Sequence, residues 1–164
     1  MQLEKLKTQQ EIKNIAERLN NEGQIIVTTN GSFDLIHAGH IRTLKEAKSQ
    51  GDVLIVGLNS DKSVKAYKSP DRPIIPEYQR AEILDAIKYV DYIVLFDQPE
   101  IAVPLIKLVR PKIHCNGAEY GENCVETPII KEVGAKLHLI KETQDEKGKI
   151  STTKIIKKIR EMKI

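Results

Sequence analysis

The segment Thr29-Asn30-Gly31-Ser32-Phe33-Asp34-Leu35-Ile36-His37-Ala38-Gly39-His40 places two histidines around a glycine, directly behind a G-x-F-D turn. An apolar run, Ile25-Ile26-Val27, leads into it, and Ile41 to Ser49 reads as a helix. The motif therefore falls where a strand hands over to a helix. The first turn of a helix carries unpaired N–H groups and the positive end of the helix dipole, so it attracts phosphate. Two imidazoles at that point can donate to phosphate oxygens, and Gly39 lets the backbone approach a ligand closely. Phosphate chemistry is the expectation these residue types set.

The elements that must position this segment can be followed along the chain. Thr8 and Glu11 have capping-box spacing, and Ile12, Ile15, Ala16 and Leu19 follow at helical period, closed by Asn20 to Gly23. The strands expected are Gln24–Thr28, Val53–Leu58, Tyr92–Phe96, Lys112–Cys115 and Lys136–Ile140. Helices are expected over Ile41–Ser49, around Ala81, Leu84, Ile87 and Val90, over Ile101–Val109 and over Pro128–Val133. A last helix is capped by Ser151, with Ile155, Ile156, Ile159 and Met162 as its apolar face. The stretch holding Lys65, Lys68, Pro70, Arg72, Pro73 and Pro76 reads as a loop. Alternating strands and helices predict an α/β fold, a Rossmann-like parallel sheet with helices on both faces. The chain reads as one domain over residues 1–164, with residues 1–22 as an appended N-terminal helix. Ligands of such sheets sit beyond the carboxyl ends of the strands. His37 and His40, Asp61, Asn116 and Gly117 all fall at such ends, with Ser151-Thr152-Thr153 at a helix start.

Composition narrows the partners. The net charge is +3, from 26 basic and 23 acidic residues, which is no nucleic-acid footprint. The lysines between Lys147 and Lys163 alternate with Ile and read as a solvated helix face. Cys115 and Cys124 form no metal-type spacing and read as a reduced pair, as in a cytosolic enzyme. The N-terminus Met1-Gln2-Leu3-Glu4-Lys5 lacks the apolar core of a signal peptide, and no run approaches the ~20 residues that span a bilayer. A cytoplasmic protein acting on a small molecule is the expectation, without membrane or nucleic acid.

The G-x-F-D-x-x-H-x-G-H run, with Ile150-Ser151-Thr152-Thr153-Lys154-Ile155 far downstream, resembles the cytidylyltransferase-like nucleotidyltransferase superfamily. Leu58-Asn59-Ser60-Asp61, Arg72-Pro73-Ile74, Glu77-x-x-Arg80 and Val90-Asp91 extend the resemblance to the heptose 1-phosphate adenylyltransferase branch, over roughly residues 24 to 160. The resemblance implies transfer of a nucleoside monophosphate from ATP or CTP to a small phosphorylated sugar, with pyrophosphate leaving. It implies that His37 and His40 are catalytic and that Asn30, Gly31, Ser32, Phe33, Gly39, Asp61, Arg80, Ser151, Thr152 and Thr153 bind nucleotide. It assigns Lys65, Lys68, Asn116 and Gly117 to the acceptor, Asp34 to the turn, and Mg²⁺ to the incoming triphosphate. A homodimer and a separate sugar kinase are the implied partners, since this branch is often fused to one.

Two departures stand out. The branch pattern K-G-G-D-Y is Asn116-Gly117-Ala118-Glu119-Tyr120 here, one positive charge fewer. Glycerol-phosphate cytidylyltransferases carry Arg-Thr-Glu-Gly where this chain has Glu146-Lys147-Gly148-Lys149. The residues alone leave open ATP against CTP, a sugar against a polyol phosphate such as glycerol 3-phosphate, and an enzyme against a nucleotide-binding regulatory module. They also leave open whether Arg80 enters the site or pairs with Glu77, and read His114 and His138 as structural.

Overall fold

The computed structural model describes residues 3–141, 144–145 and 148–162. Met1, Gln2, Glu146, Lys147 and Lys163 therefore lie outside the described residues. Six parallel strands form one sheet in the order β1-β4-β3-β2-β5-β6. They are β1 (Leu6–Lys7), β2 (Ile26–Gly31), β3 (Val53–Asn59), β4 (Tyr92–Phe96), β5 (Ile113–Gly117) and β6 (Lys136–Ile140). The short pair β7 (Gln144–Asp145) and β8 (Gly148–Lys149) stands apart from it.

Strand periodicity sends alternate side chains to opposite faces, and the helices divide accordingly. Val27, Leu54, Val56 and Ile93 meet Leu44 and Ala47 of α2 (Ala38–Lys48) and Ala81 and Leu84 of α4 (Glu77–Asp85). Ile26, Ile55 and Val94 meet Ile12, Ala16 and Leu19 of α1 (Gln9–Asn21) and Leu105 of α5 (Ala102–Val109). α6 (Thr127–Val133) adds Ile129 and Ile130 against Ile106. Helices on both faces of a parallel sheet match the expected class.

The chain steps from β2 outward to β3 and β4, then returns to place β5 against the other side of β2. The crevice between β2 and β5 is thus the point where the winding reverses, and its open end is where a ligand is expected.

Several expectations change. Residues 9–21 are not appended, because α1 fills one face of the sheet and β1 pairs with β4. Strand β2 runs on to Gly31, so Asn30 and Gly31 lie in the sheet, hydrogen-bonded in register with β3. The expected loop around Lys65 contains α3 (Asp61–Tyr67), capped by Ser60, whose side chain accepts from Ser63 N. With only Ser63 and Val64 buried, α3 has too short an apolar face to betray a helical period. α4 stops at Asp85, and Ile87 and Val90 join the core from the turn that follows. The last helix, α7 (Thr152–Glu161), starts behind the Ser151 cap as read. Its apolar residues Ile159 and Met162 nevertheless stay exposed.

Both cysteines are free, Cys115 buried and Cys124 half-buried. Burial, with the Glu46 charge nearby, pushes the Cys115 thiol up to about 12, so it is an inert apolar filler. His114 is fully buried, with Nδ1 2.9 Å from Thr28 Oγ1, and His138 meets Glu46 at 3.0 Å. Both are structural, as read. No helix among the described residues is long and apolar enough to cross a membrane.

Candidate nucleotide and phosphate site

A cleft of about 730 Å³ opens at the carboxyl ends of the strands and is lined by residues from β2, α2, β3, β5 and the start of α7. His37 and His40 sit at its centre, where α2 begins.

The two histidines cap their own helix. His37 Nδ1 accepts from Gly39 N at 3.1 Å, and His40 Nδ1 accepts from His37 N at 3.3 Å. A nitrogen that accepts from a backbone N–H carries no proton of its own. In the neutral ring the proton therefore sits on Nε2, which is left as a donor. Burial, reinforced by the nearby charges of His37 and Lys68, pushes His40 down to about 4. Burial also lowers His37. At neutral pH both rings are uncharged donors fixed in one tautomer.

Gly39 is required by that arrangement. A Cβ there would meet His37 Cε1 at 2.8 Å and Nδ1 at 2.9 Å, so any side chain would displace the ring from its cap. Phe33 adopts φ +46°, a left-handed conformation unusual for a bulky residue. Strain of this kind gathers at functional turns. The turn carries the Phe33 ring under His40, with ring centroids 5.4 Å apart.

Asp34 is a turn former, as read. It accepts from Ile74 N and Ile75 N at 2.9 Å each and from Arg72 Nε at 2.6 Å. Burial alone would raise its pKa, but the bonds from Ile75, Ile74 and Arg72 outweigh that and hold it below the usual carboxylate range. The Arg72-Pro73-Ile74 segment is thereby fastened to the motif turn.

Lys68 enters the cleft on the β3 side, its ammonium 2.7 Å from Ser32 Oγ. Burial and the Arg72 charge lower its pKa. On the other side of β2, Asn116 and Gly117 end β5 and line the same cleft. Asn116 Nδ2 donates to Glu126 Oε1 at 3.2 Å, and Asn116 Oδ1 accepts from Gly117 N at 2.9 Å. Ser151 and Thr152 complete the rim. The Ser151 side chain accepts from Lys154 N, and Thr152 Oγ1 donates to Leu35 O at 3.4 Å. The N-terminal end of α7 thus opens on the same cleft as that of α2.

Four expected site residues lie elsewhere. Lys65 is exposed on α3, and Thr153 is exposed one residue into α7. Arg80 is fully buried beneath the cleft rather than in it. Its guanidinium donates to the carbonyls of Ser32, Asn59 and Ile75 and to Asp61 Oδ1 at 2.8 Å. Its donors are spent on fixing the ends of β2 and β3, so it braces the floor, and its acidic partner is Asp61 rather than Glu77. Asp61 is the far end of that brace and does not line the cleft. Sequence reading missed Glu126, because its neighbour in the site, Asn116, is ten residues away and no spacing rule links them.

Comparison with known proteins bears on the family and the fold. The sequence model of a family described as cytidylyltransferase-like matches residues 28–158. The bifunctional protein HldE of Aliarcobacter butzleri (strain RM4018) is 45% identical over 157 residues, covering 95% of this chain and 31% of that protein. The chain thus spans about a third of the length of the curated relatives it matches. A crystal structure of the lipopolysaccharide core biosynthesis protein from Thermoplasma volcanium GSS1 superposes with TM-score 0.59 at 27% identity, covering 76% of this chain and all of that one. Pantoate-β-alanine ligase from Francisella tularensis shares the fold, with TM-score 0.65 at 18% identity over 96% of this chain and 78% of that one.

Proposed function

This chain belongs to the cytidylyltransferase-like family, and on that footing we propose that it is a nucleotidyltransferase that joins a nucleoside monophosphate to a small phosphorylated sugar. The reading supported best is transfer of AMP from ATP to a heptose 1-phosphate, giving an ADP-sugar. The Leu58-Asn59-Ser60-Asp61 and Arg72-Pro73-Ile74 motifs and the similarity to the HldE proteins support it. Transfer of CMP from CTP to a sugar or polyol phosphate uses the same chemistry.

The carrying observation is the pair of neutral, tautomer-fixed imidazoles at the start of α2. In the proposed reaction an oxygen of the acceptor phosphate bonds to the α-phosphorus. The bond from that phosphorus to the bridging oxygen breaks, and pyrophosphate leaves. No proton need be abstracted from a phosphate oxygen already ionised. The site's work is positioning and charge stabilisation, which preorganised donors supply. His37 and His40 would present Nε2–H to the transferring phosphoryl group, with the N–H groups of α2 and α7 around the triphosphate. Lys68 would hold the acceptor phosphate on the β3 side and lower its repulsion with the triphosphate.

Among the described residues no three His, Cys, Asp or Glu converge as a metal cage. We propose that Mg²⁺ enters with the triphosphate and would neutralise phosphate charge when bound. We further propose a homodimer, and a sugar kinase activity that supplies the phosphorylated acceptor.

Pyrophosphate release from a matrix of nucleoside triphosphates against sugar and polyol phosphates tests the reading. ATP with a heptose 1-phosphate is expected to give the highest kcat/KM. Absence of pyrophosphate with every pair would overturn it in favour of a binding module.

A further inference from the structure

The cleft has two unlike arms. On the β3 side stands Lys68, bonded to Ser32. On the β5 side the wall is built from Asn116, Tyr120, Cys124, Val125, Glu126 and Ile140. Tyr120 and Val125 stay 63% and 64% exposed, so this arm offers an open apolar surface, with the exposed charges of Glu119 and Lys141 at its rim. Glu126 is 6% exposed, and its Oε2 has no hydrogen-bond partner among the described residues. Its other oxygen is held by Asn116 Nδ2.

A buried carboxylate with one oxygen unpaired is costly, and the cost falls when a donor reaches it. Asn116 commits one N–H of its Nδ2 to Oε1, and no donor among the described residues reaches Oε2. A ligand in this arm, which Glu126 lines, can supply that donor. It is not a phosphate, because an ionised carboxylate only accepts and repels an anion. A wall with apolar surface and one buried, unpaired acceptor suits a planar ring carrying an N–H donor. A polyol would leave most of its hydroxyls facing Val125, Tyr120 and Ile140.

We propose that Glu126, aimed by Asn116, selects the nucleotide by accepting a hydrogen bond from the exocyclic amino group of its base. Bases with a carbonyl at that position place acceptor against acceptor and are rejected. This rests on the nucleotidyltransferase reading and deepens it. It assigns the β5 arm to the base and leaves the β3 arm, with Lys68, to the phosphorylated acceptor. Asn116 and Gly117 then lie on the nucleotide side, opposite to the side the sequence resemblance implies.

Two isosteric pairs test it by direct calorimetric titration, without turnover: ATP against inosine triphosphate, and CTP against UTP. A hydrogen bond to a charged group predicts that the wild type binds the amino member of its preferred pair about 10–100-fold more tightly. Glu126→Gln should bring that ratio to within a few-fold, with acceptor binding and the unfolding midpoint little changed. Asn116→Lys is the second variant. Its ammonium would pair with Glu126 and withdraw the carboxylate, so the ratio should fall although Glu126 is intact. A ratio near one in the wild type overturns the proposal. So does an unchanged ratio in Glu126→Gln, and so does a variant that loses sugar phosphate binding instead. Pyrophosphate release separates this from the parent reading. Normal turnover with an unchanged ratio removes only the role of Glu126. A Glu126-dependent ratio without turnover removes only the transfer reaction.

Discussion

The rings of His37 and His40 stack with centroids 4.0 Å apart, and each turns its Nδ1 onto a backbone N–H of the same helix start. The pair is thereby locked as two Nε2–H donors, their ring planes 27° apart. Replacing either histidine by Ala is expected to lower kcat by roughly 10²–10³, the scale of one lost preorganised donor. Gly39→Ala should approach the same loss, since its Cβ would overlap the His37 ring. Steady-state kinetics beside thermal unfolding measures this, and a His40→Ala enzyme with near-normal turnover would end the assignment.

The protonation of these rings gives a pH prediction with a definite sign. Burial, with neighbouring charges at His40, pushes His40 and His114 down to about 4, below the ordinary histidine value near 6.5. Between those values the unfolded chain binds more protons than the native one, so stability rises with pH across that window. Their contribution is complete above about 6.5 and is lost as pH falls toward about 4. Urea melts at stepped pH should show a slope approaching about two protons, one for each ring. Because burial keeps His40 neutral from about pH 6 to 8, its titration should give kcat no inflection near 6.5. Such an inflection, removed by His40→Asn, would contradict the fixed tautomer.

Arg80 is expected to matter for stability first. It is fully buried and ties the carbonyls of Ser32, Asn59 and Ile75 to Asp61. Arg80→Ala should cost about 3–5 kcal/mol, the scale of breaking a buried ion pair from one side. Arg80→Lys should recover little, because one ammonium cannot span the positions of the guanidinium fork. Chemical denaturation measures both. A stable Arg80→Ala protein that has lost only nucleotide affinity would return Arg80 to the cleft.

Lys68→Met is expected to raise KM for the phosphorylated acceptor by about 10–100-fold, the value of a charged hydrogen bond. Nucleotide affinity should move less, because Lys68 stands on the β3 side of His37. A selective loss of nucleotide affinity would assign that arm to the triphosphate instead.

A dimer is expected at micromolar concentration. Ile74 and Tyr78 are 51% and 62% exposed beside the segment that Asp34 pins, which gives a rigid apolar patch. Light scattering should give about twice the 18.6 kDa chain mass, and Ile74→Glu should shift it downward. A wild-type value at the single-chain mass counts against the dimer.

Local periodicity determined most of the fold. Ile12, Ala16 and Leu19 repeat at 3.6, the strand runs alternate with helices, and Thr8 and Ser151 signal their own caps. The His37-Ala38-Gly39-His40 motif could be read in the same way, because its chemistry depends on neighbours two or three residues apart. What stayed hidden depends on distance in the chain. β1 is two residues of no distinctive pattern, and it becomes a strand only because β4 offers an edge. Arg80 looked like a clamp until the fold carried it under Ser32 and Asn59, 48 and 21 residues away. Nothing local linked Asn116 to Glu126, ten residues on, and only the fold brings the two within hydrogen-bond distance. A parallel sheet joins its strands by long crossovers, so the groups that share a cleft are brought together by tertiary packing, and no local spacing records which of them will meet.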